Sequence, residues 1–269
     1  MMFIIIVILS ILFATYLFMI APRFNKPDCS FLDGYFYAHR GLFNNIDIPE
    51  NSLLAFQKAV DNGYGMELDV QLSKDNVLVV FHDASLKRMC GVDGNVWEYT
   101  YEELQQFRLL NTDVKIPTFK EVLEVIDGKV PFILEFKEDV VQTTVCELSN
   151  EMLKDYKGPY CVESFHPIAV KWYKDNRPDI VRGQLAEAYW NKSNKKYHKL
   201  KYYLVSSLVT NVLTRPDFIA YDCKEYKSIP RKLTRMLGAK QVTWTIKSKE
   251  QYEKLKDLYD YFIFDRCEL

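Results

Sequence analysis

The chain is predicted to be an α/β protein, a (β/α)8 TIM barrel preceded by an N-terminal transmembrane helix. Three observations lead there. Beyond residue 34, short apolar or β-branched runs recur with helical patterns between them, enough for eight β-α units in about 235 residues, and such a barrel typically takes about 250. No Gly-rich phosphate loop follows the first of these runs, as a doubly wound open sheet would usually show. Ahead of them, Phe3 to Ile20 form eighteen residues without a charge, Gly or Pro.

A bilayer span needs roughly 20 apolar residues, and Met1, Met2 and Ala21 extend this run to twenty-one. No Lys or Arg precedes it, and Met19-Ile20-Ala21-Pro22 offers no small-x-small cleavage site, which favours an anchor (1–21) over a cleaved signal. Arg23 and Lys26 follow the span, so a single-pass protein with its folded body on the cytoplasmic side is expected. Residues 22–34, with Pro22, Pro27 and Gly34, read as a juxtamembrane linker, leaving 35–269 for the barrel domain. Lys plus Arg is 35 against 36 Asp plus Glu, a balance that excludes a polybasic nucleic-acid binder, and the 48% hydrophobic fraction excludes disorder. The six cysteines are scattered without a C-x-x-C pair, and most of them read as free buried thiols.

The elements follow in order. Tyr35–His39 is the first strand, and Asn51 or Ser52 caps a helix through Val60 that Gly63 ends. Met66–Val70 and Val77–His82 are separated by too few residues for a parallel crossover, so the second is an arm turning back. With the turn at Lys74-Asp75, paired positions sum to 149, and His82 lies opposite Glu67. Capping boxes at Thr100 with Glu103 and Thr118 with Glu121 start helices before Phe132–Phe136. Strands at Tyr160–Ser164, Val181–Leu185, Phe218–Asp222 and Val242–Ile246 come next. A box at Ser248 with Gln251 precedes Tyr261–Asp265, after which four residues leave no room for a further helix.

A barrel carries its chemistry at the C-terminal strand ends. Those ends here read His39-Arg40, Glu67 and Asp69, His82-Asp83, Glu135 with Lys137, Ser164, Gln184, Asp222, Trp244 and Asp265. Glu67 and Asp69 share a strand face, as do Glu135 and Lys137. Three converging carboxylates repel unless compensated, and a hard divalent cation, Ca²⁺ or Mg²⁺, takes such oxygen ligands. His39 and His82 then supply an acid and a base, while Arg40 and Lys137 suit an anionic, phosphate-like reacting group. Metal, acid, base and two cations together fit cleavage of a phosphodiester.

The stretches Ala38-His39-Arg40-Gly41, Pro49-Glu50-Asn51-Ser52, Glu67-Leu68-Asp69-Val70, Val79-Val80-Phe81-His82-Asp83, Leu134-Glu135-Phe136-Lys137, Ser164-Phe165 and Trp244-Thr245-Ile246 resemble, in this order, those of the glycerophosphodiester phosphodiesterases. The resemblance implies one divalent cation on Glu67, Asp69 and Glu135, His39 and His82 as the catalytic acid/base pair, and Arg40 and Lys137 at the phosphate. It also implies that Trp244 packs against the glycerol moiety and that 83–130 includes a cap over the barrel mouth. The implied reaction gives glycerol 3-phosphate and an alcohol. Phe264-Asp265 and Lys247 depart from the family pattern at the pocket rim. An anchored enzyme of this kind could instead act on a lysophospholipid, as a lysophospholipase D does. Ser164, Gln184, Asp222 and Asp265 are read as supporting or capping residues, Asn51 as a helix cap, Glu50 as support for the site, and His166 as a loop residue. Lys192–Lys201 is read as a solvated basic face, and Asn191-Lys192-Ser193 as a glycosylation triplet only in a secretory lumen.

Overall fold

A computed structural model of the chain describes residues 1–137, 143–187 and 199–267, with 199–202 described in backbone alone. The N-terminal half contains α1 (Met2–Ile20), β1 (Tyr37–His39), α2 (Leu53–Asp61), β2 (Gly65–Leu72), β3 (Leu78–Val80), α3 (Lys87–Cys90), α4 (Tyr101–Leu104), α5 (Phe119–Ile126) and β4 (Phe132–Phe136). Then come α6 (Thr144–Leu153), β5 (Tyr160–Ser164), α7 (Pro167–Asn176), β6 (Arg182–Ala186), α8 (Lys199–Ser206), α9 (Asn211–Thr214) and β7 (Phe218–Asp222). The chain finishes with α10 (Ile229–Met236), β8 (Lys240–Ile246), α11 (Lys249–Leu255) and β9 (Tyr261–Phe264).

Closure comes from β1, which pairs in parallel with β2 through Tyr37–Gly65 and with β9 through Tyr37–Ile263. The remaining parallel strands follow one another in chain order, so eight strands form the barrel and β3 lies outside that count. The strand period of two divides the residues cleanly. Met66, Leu68, Val70, Phe132, Leu134 and Phe136 pack outward with the helices. Tyr37, Ile133, Cys161, Phe218, Val242 and Tyr261 fill the lower interior. Two positions further along four of these strands, His39, Glu135, Glu163 and Trp244 line the site. At Gly183 the interior has no room for a side chain, since a Cβ there would lie 2.0 Å from the Phe218 ring.

The barrel floor is sealed by the strap between α1 and β1. Leu32, with Cys29 and Phe31, packs into the lower interior cluster. Tyr37 donates its hydroxyl to the Leu32 carbonyl at 2.9 Å, and Tyr261 donates to Asp33 Oδ1 at 2.8 Å. Arg23 pairs with the fully buried Asp217 at 2.6 Å, just before β7. α1 itself is long and apolar enough to cross a membrane, with a mean hydropathy of 2.9. Among the described residues, only its last turns touch the barrel. Tyr16 donates to the Ser207 carbonyl, and Asn211 and Arg215 take up the carbonyls of Ile20, Phe18 and Ala21, which the helix end leaves unpaired.

Three local expectations are corrected. β3 is an antiparallel arm on β2, but the pairs are Val70–Val80, Gln71–Val79 and Leu72–Leu78, summing to 150 rather than 149. The loop is three residues, Lys74-Asp75-Asn76, closed by Ser73 N–H donating to Val77 O, with Asn76 left-handed at φ 60°. An odd loop of this type shifts the register by one. Val80 therefore faces Val70, and the ladder ends before His82. At α2 the cap is Ser52, whose hydroxyl accepts from Ala55 N. Both Thr-Glu capping boxes form, whereas at α11 Ser248 caps and Gln251 reaches back to Lys247 N instead. Within 81–116 a separate apolar cluster, including Phe81, Leu86, Met89, Leu104 and Ile116, gives this excursion a core of its own.

Candidate active site

The site is the upper interior of the barrel. Glu67 and Asp69 from β2 and Glu135 from β4 point inward, and one oxygen from each lies within 4.8 Å of the others. All three are buried. Lys137, one residue past β4, places Nζ 2.5 Å from Glu135 Oε1 and 3.0 Å from Asp69 Oδ1. Arg40, at the end of β1 with φ 57°, donates its backbone N–H to Glu67 Oε2 at 3.0 Å and holds Nε 3.6 Å from Asp69 Oδ2. Asn51 is also left-handed and turns from the helix to donate Nδ2 to Asp69 Oδ2 at 2.7 Å, so it serves the site rather than capping α2.

These charges respond to burial and to one another. Burial pushes the Glu67 carboxyl well up, and the neighbouring Asp69 and Glu135 push it further. Burial also raises Glu135, against the pull of Lys137. Asp69 is buried as deeply, yet Lys137, His82 and Arg40 together hold it below the usual carboxylate range. Burial and the adjacent Arg40 hold His39 well below the ordinary imidazole value. Glu67 Oε1 has no hydrogen-bond partner, and Asp69 Oδ1 has only the ion-pair contact with Lys137. Buried oxygens of this kind, on three carboxylates, are the donor set of a hard divalent cation.

The second histidine arrives from the excursion. His82 Nδ1 lies 2.6 Å from Asp83 Oδ1, and Asp83 is gripped by Arg88, which also donates both terminal nitrogens to Glu50. Glu50 in turn accepts from Arg40 Nη1 at 2.6 Å. One chain of ion pairs thus runs from His82 to the carboxylate trio. A cavity of about 250 Å³ opens above it, lined by His39, Arg40, Glu67, His82, Glu135, Lys137 and Trp244 among others. Seven of the eight residues singled out from sequence therefore share one cavity, and Asp69 supports it through Lys137 and Arg40. Trp244 meets Phe165 edge to face, with centroids 5.6 Å apart.

This barrel, with its inward carboxylates and histidines, can be set beside known proteins. A sequence profile described as the Glycerophosphoryl diester phosphodiesterase family matches residues 39–268. The chain belongs to that family. Over 204 residues it is 31% identical to a glycerophosphodiester phosphodiesterase of Bacillus altitudinis, covering 73% of this chain and 72% of that one. It is 34% identical to Lysophospholipase D GDPD1 of Rattus norvegicus over 143 residues, 47% of this chain and 45% of the relative. A phosphodiesterase of Oleispira antarctica, solved with the product sn-glycerol-3-phosphate, superposes with a TM-score of 0.71 at 25% identity, covering 88% of this chain and 94% of that one. The chain is thus an enzyme of the phosphoric diester hydrolase class.

Other residues fall out differently from the sequence reading. Ser164 and Gln184 point away from the cavity. Ser164 donates to Phe136 O, and Gln184 Nε2 binds the Ser164, Phe165 and Leu185 carbonyls. Their inward neighbours Glu163 and Leu185 line the cavity instead. Asp222 caps the turn after β7, and His166 caps α7 by accepting from Ile168 N. Asp265 pairs with Lys247 and Arg266. Lys247, at a departure from the family pattern, lines the cavity. Arg88 and Glu163 were missed. Nothing in sequence spacing ties Arg88 to Glu50, but period-two counting from the inward Cys161 would have found Glu163. The stretch Lys192–Lys201 and the Asn191 triplet lie outside the residues whose side chains are described. None of the six cysteines forms a disulfide.

Proposed function

We propose that the protein is a membrane-anchored, metal-dependent phosphodiesterase that hydrolyses glycerophosphodiesters to glycerol 3-phosphate and an alcohol. The observation that carries this reading is the convergence of His39, His82, Arg40 and Lys137 around three buried carboxylates in one cavity. Glu67, Asp69 and Glu135 would hold one divalent cation, Ca²⁺ or Mg²⁺, which supplies positive charge for the phosphoryl oxygens. Arg40 and Lys137 bind the phosphate and keep it oriented. Asp83 accepts from His82 Nδ1, which leaves Nε2 free to take or give a proton. His39 and His82 act as the acid and base, one of them protonating the departing alcohol. Trp244 offers an apolar face to the carbons of the glycerol moiety, and the excursion beyond His82 serves as the cap.

The anchor reading rests on α1, whose apolar surface is exposed along most of its length. We read the protein as single-pass with the barrel on the cytoplasmic side, from Arg23 and Lys26. Resistance of the full chain to carbonate extraction, with the barrel accessible to protease only in inverted vesicles, tests both points.

The same helix, together with the likeness to a relative named lysophospholipase D, supports a second reading in which the substrate is a lysophospholipid. Purified full chain, supplied with Ca²⁺ or Mg²⁺, is to be given glycerophosphocholine and lysophosphatidylcholine. Release of glycerol 3-phosphate from the first is expected. Cleavage of the lysolipid alone would overturn the first reading in favour of the second.

A further inference from the structure

Among the described residues that line the cavity, Glu163 is the one carboxylate that the proposed chemistry does not use. It stands on β5 beside Glu135 of β4, with which it is in register. It is 1% exposed, yet it lines the cavity with Phe165, Leu185 and Trp244. Its Oε2 has no hydrogen-bond partner, and among the described residues it forms no ion pair. It also stands outside the cluster of Glu67, Asp69 and Glu135, whose oxygens approach one another within 4.8 Å.

A buried carboxyl without a partner is costly, and a group supplied by the ligand is the natural compensation. Phosphate does not fit, because it carries the same sign of charge and has Arg40 and Lys137 to bind it. A hydroxyl does fit: it is neutral and can donate or accept. The apolar faces of Trp244, Phe165 and Leu185 around Glu163 suit the carbons that carry such a hydroxyl. We infer that Glu163 recognises a free hydroxyl on the glycerol moiety of the substrate, and so selects glycerol diesters over diesters in which a plain alkyl group replaces the glycerol. The inference rests on the glycerophosphodiesterase reading and deepens it. A cavity built to hydrogen-bond a hydroxyl rejects the analogue that lacks it far more strongly than an apolar wall rejects an extra methylene.

The test compares glycerophosphocholine with propylphosphocholine, the same diester without the two hydroxyls. The wild-type full chain should favour the glycerol compound by roughly 100-fold or more in kcat/KM. Glu163→Leu should shrink that ratio at least tenfold, and Glu163→Gln, which can still hydrogen-bond a hydroxyl, should keep the ratio within about threefold of wild type. Calorimetry with sn-glycerol 3-phosphate and propyl phosphate gives a second readout, in which Glu163→Leu should narrow the difference in Kd to the same extent. Titration with Ca²⁺ alone, and with Mg²⁺ alone, separates a ligand role. An unmoved ratio in Glu163→Leu, or a tenfold loss of cation affinity in Glu163→Gln, overturns the inference. If Glu163→Leu does not fold, Glu163→Met takes its place under the same criteria. Wild-type protein that cleaves both diesters equally well defeats this inference alone. Protein that cleaves neither defeats the glycerophosphodiesterase reading beneath it.

Discussion

Arg40 and Glu50 are joined end to end, Nη1 to Oε1 at 2.6 Å, and Arg88 donates to the same carboxylate oxygen at 2.7 Å. Glu50 thereby fixes the direction of the Arg40 guanidinium over Asp69 without itself lining the cavity. Replacing it frees Arg40 to turn. Glu50→Gln should lower kcat/KM by about 10–100-fold, mainly through KM, as losses of such supporting partners typically do. Steady-state kinetics on glycerophosphocholine decide it, and a KM equal to wild type would mean that Arg40 is held by Asp69 alone.

The same residue gives a pH prediction. Burial alone would raise the Glu50 carboxyl, but Arg88, Arg40 and Asn45 hold it down at about 2. A depressed carboxyl stabilises the fold above its unfolded value and loses that contribution as pH falls through the folded one. Between roughly pH 5 and 2 the wild type should therefore lose on the order of 3 kcal/mol that Glu50→Gln never had. Urea unfolding at stepped pH measures this. Parallel curves for the two proteins would contradict the assignment.

Cation removal should act on stability as well as on turnover. Glu67, Asp69 and Glu135 are buried together, and a bound divalent ion would relieve their mutual repulsion. At a concentration of about 100 Kd, Ca²⁺ or Mg²⁺ should stabilise the fold by about 2.7 kcal/mol and raise Tm by about 5–10 °C. Chelator should abolish that rise together with activity. Asp69→Asn should no longer respond to the ion in a thermal melt.

Trp244 stands edge-on to Phe165 across the cavity. Trp244→Ala removes an aromatic wall, and such a contact is worth about 1 kcal/mol beyond the area it buries. An approximately tenfold rise in KM with a smaller change in kcat is expected. A pure kcat loss would assign the indole to the reacting centre instead.

Deep in the barrel, Gly183 faces the Phe218 ring so closely that an added methyl would stand 2.0 Å from it. The interior layer cannot yield without moving strands, so Gly183→Ala should destabilise by roughly 1–3 kcal/mol, or about 2–12 °C in Tm. Differential scanning calorimetry tests this, and an unchanged Tm would show that Phe218 can rotate away.

Much of this was readable in advance because a barrel strand reports its two faces in alternation. The inward pairs Glu67 and Asp69 on β2 and Glu135 and Lys137 beyond β4 follow from spacing alone. What escaped was what alternation does not encode. The β2–β3 register hung on whether two or three residues form the loop, and Asn76 in the left-handed region settled it at three. Asn51 lost its cap to Ser52 because Asp69, eighteen residues on, makes a stronger claim on its side chain. Arg88 and Glu50 are 38 positions apart, and no local pattern links them. Ser164 and Gln184 were read for being last or nearly last on their strands, when the inward position was one removed in each case.

The strap, with Leu32 packed into the lower interior and bound by Tyr37 and with Asp33 bound by Tyr261, closes the floor, so among the described residues the site opens through the upper cavity. On the proposed function, substrate and both products would share that opening and pass it in turn. The alcohol half, lying outermost if the glycerol phosphate sits against Glu163, departs first, and the phosphate-bearing half must break its hold on Arg40 and Lys137 before the next diester can enter. Added glycerol 3-phosphate is therefore expected to inhibit competitively with the diester, which initial-rate kinetics check.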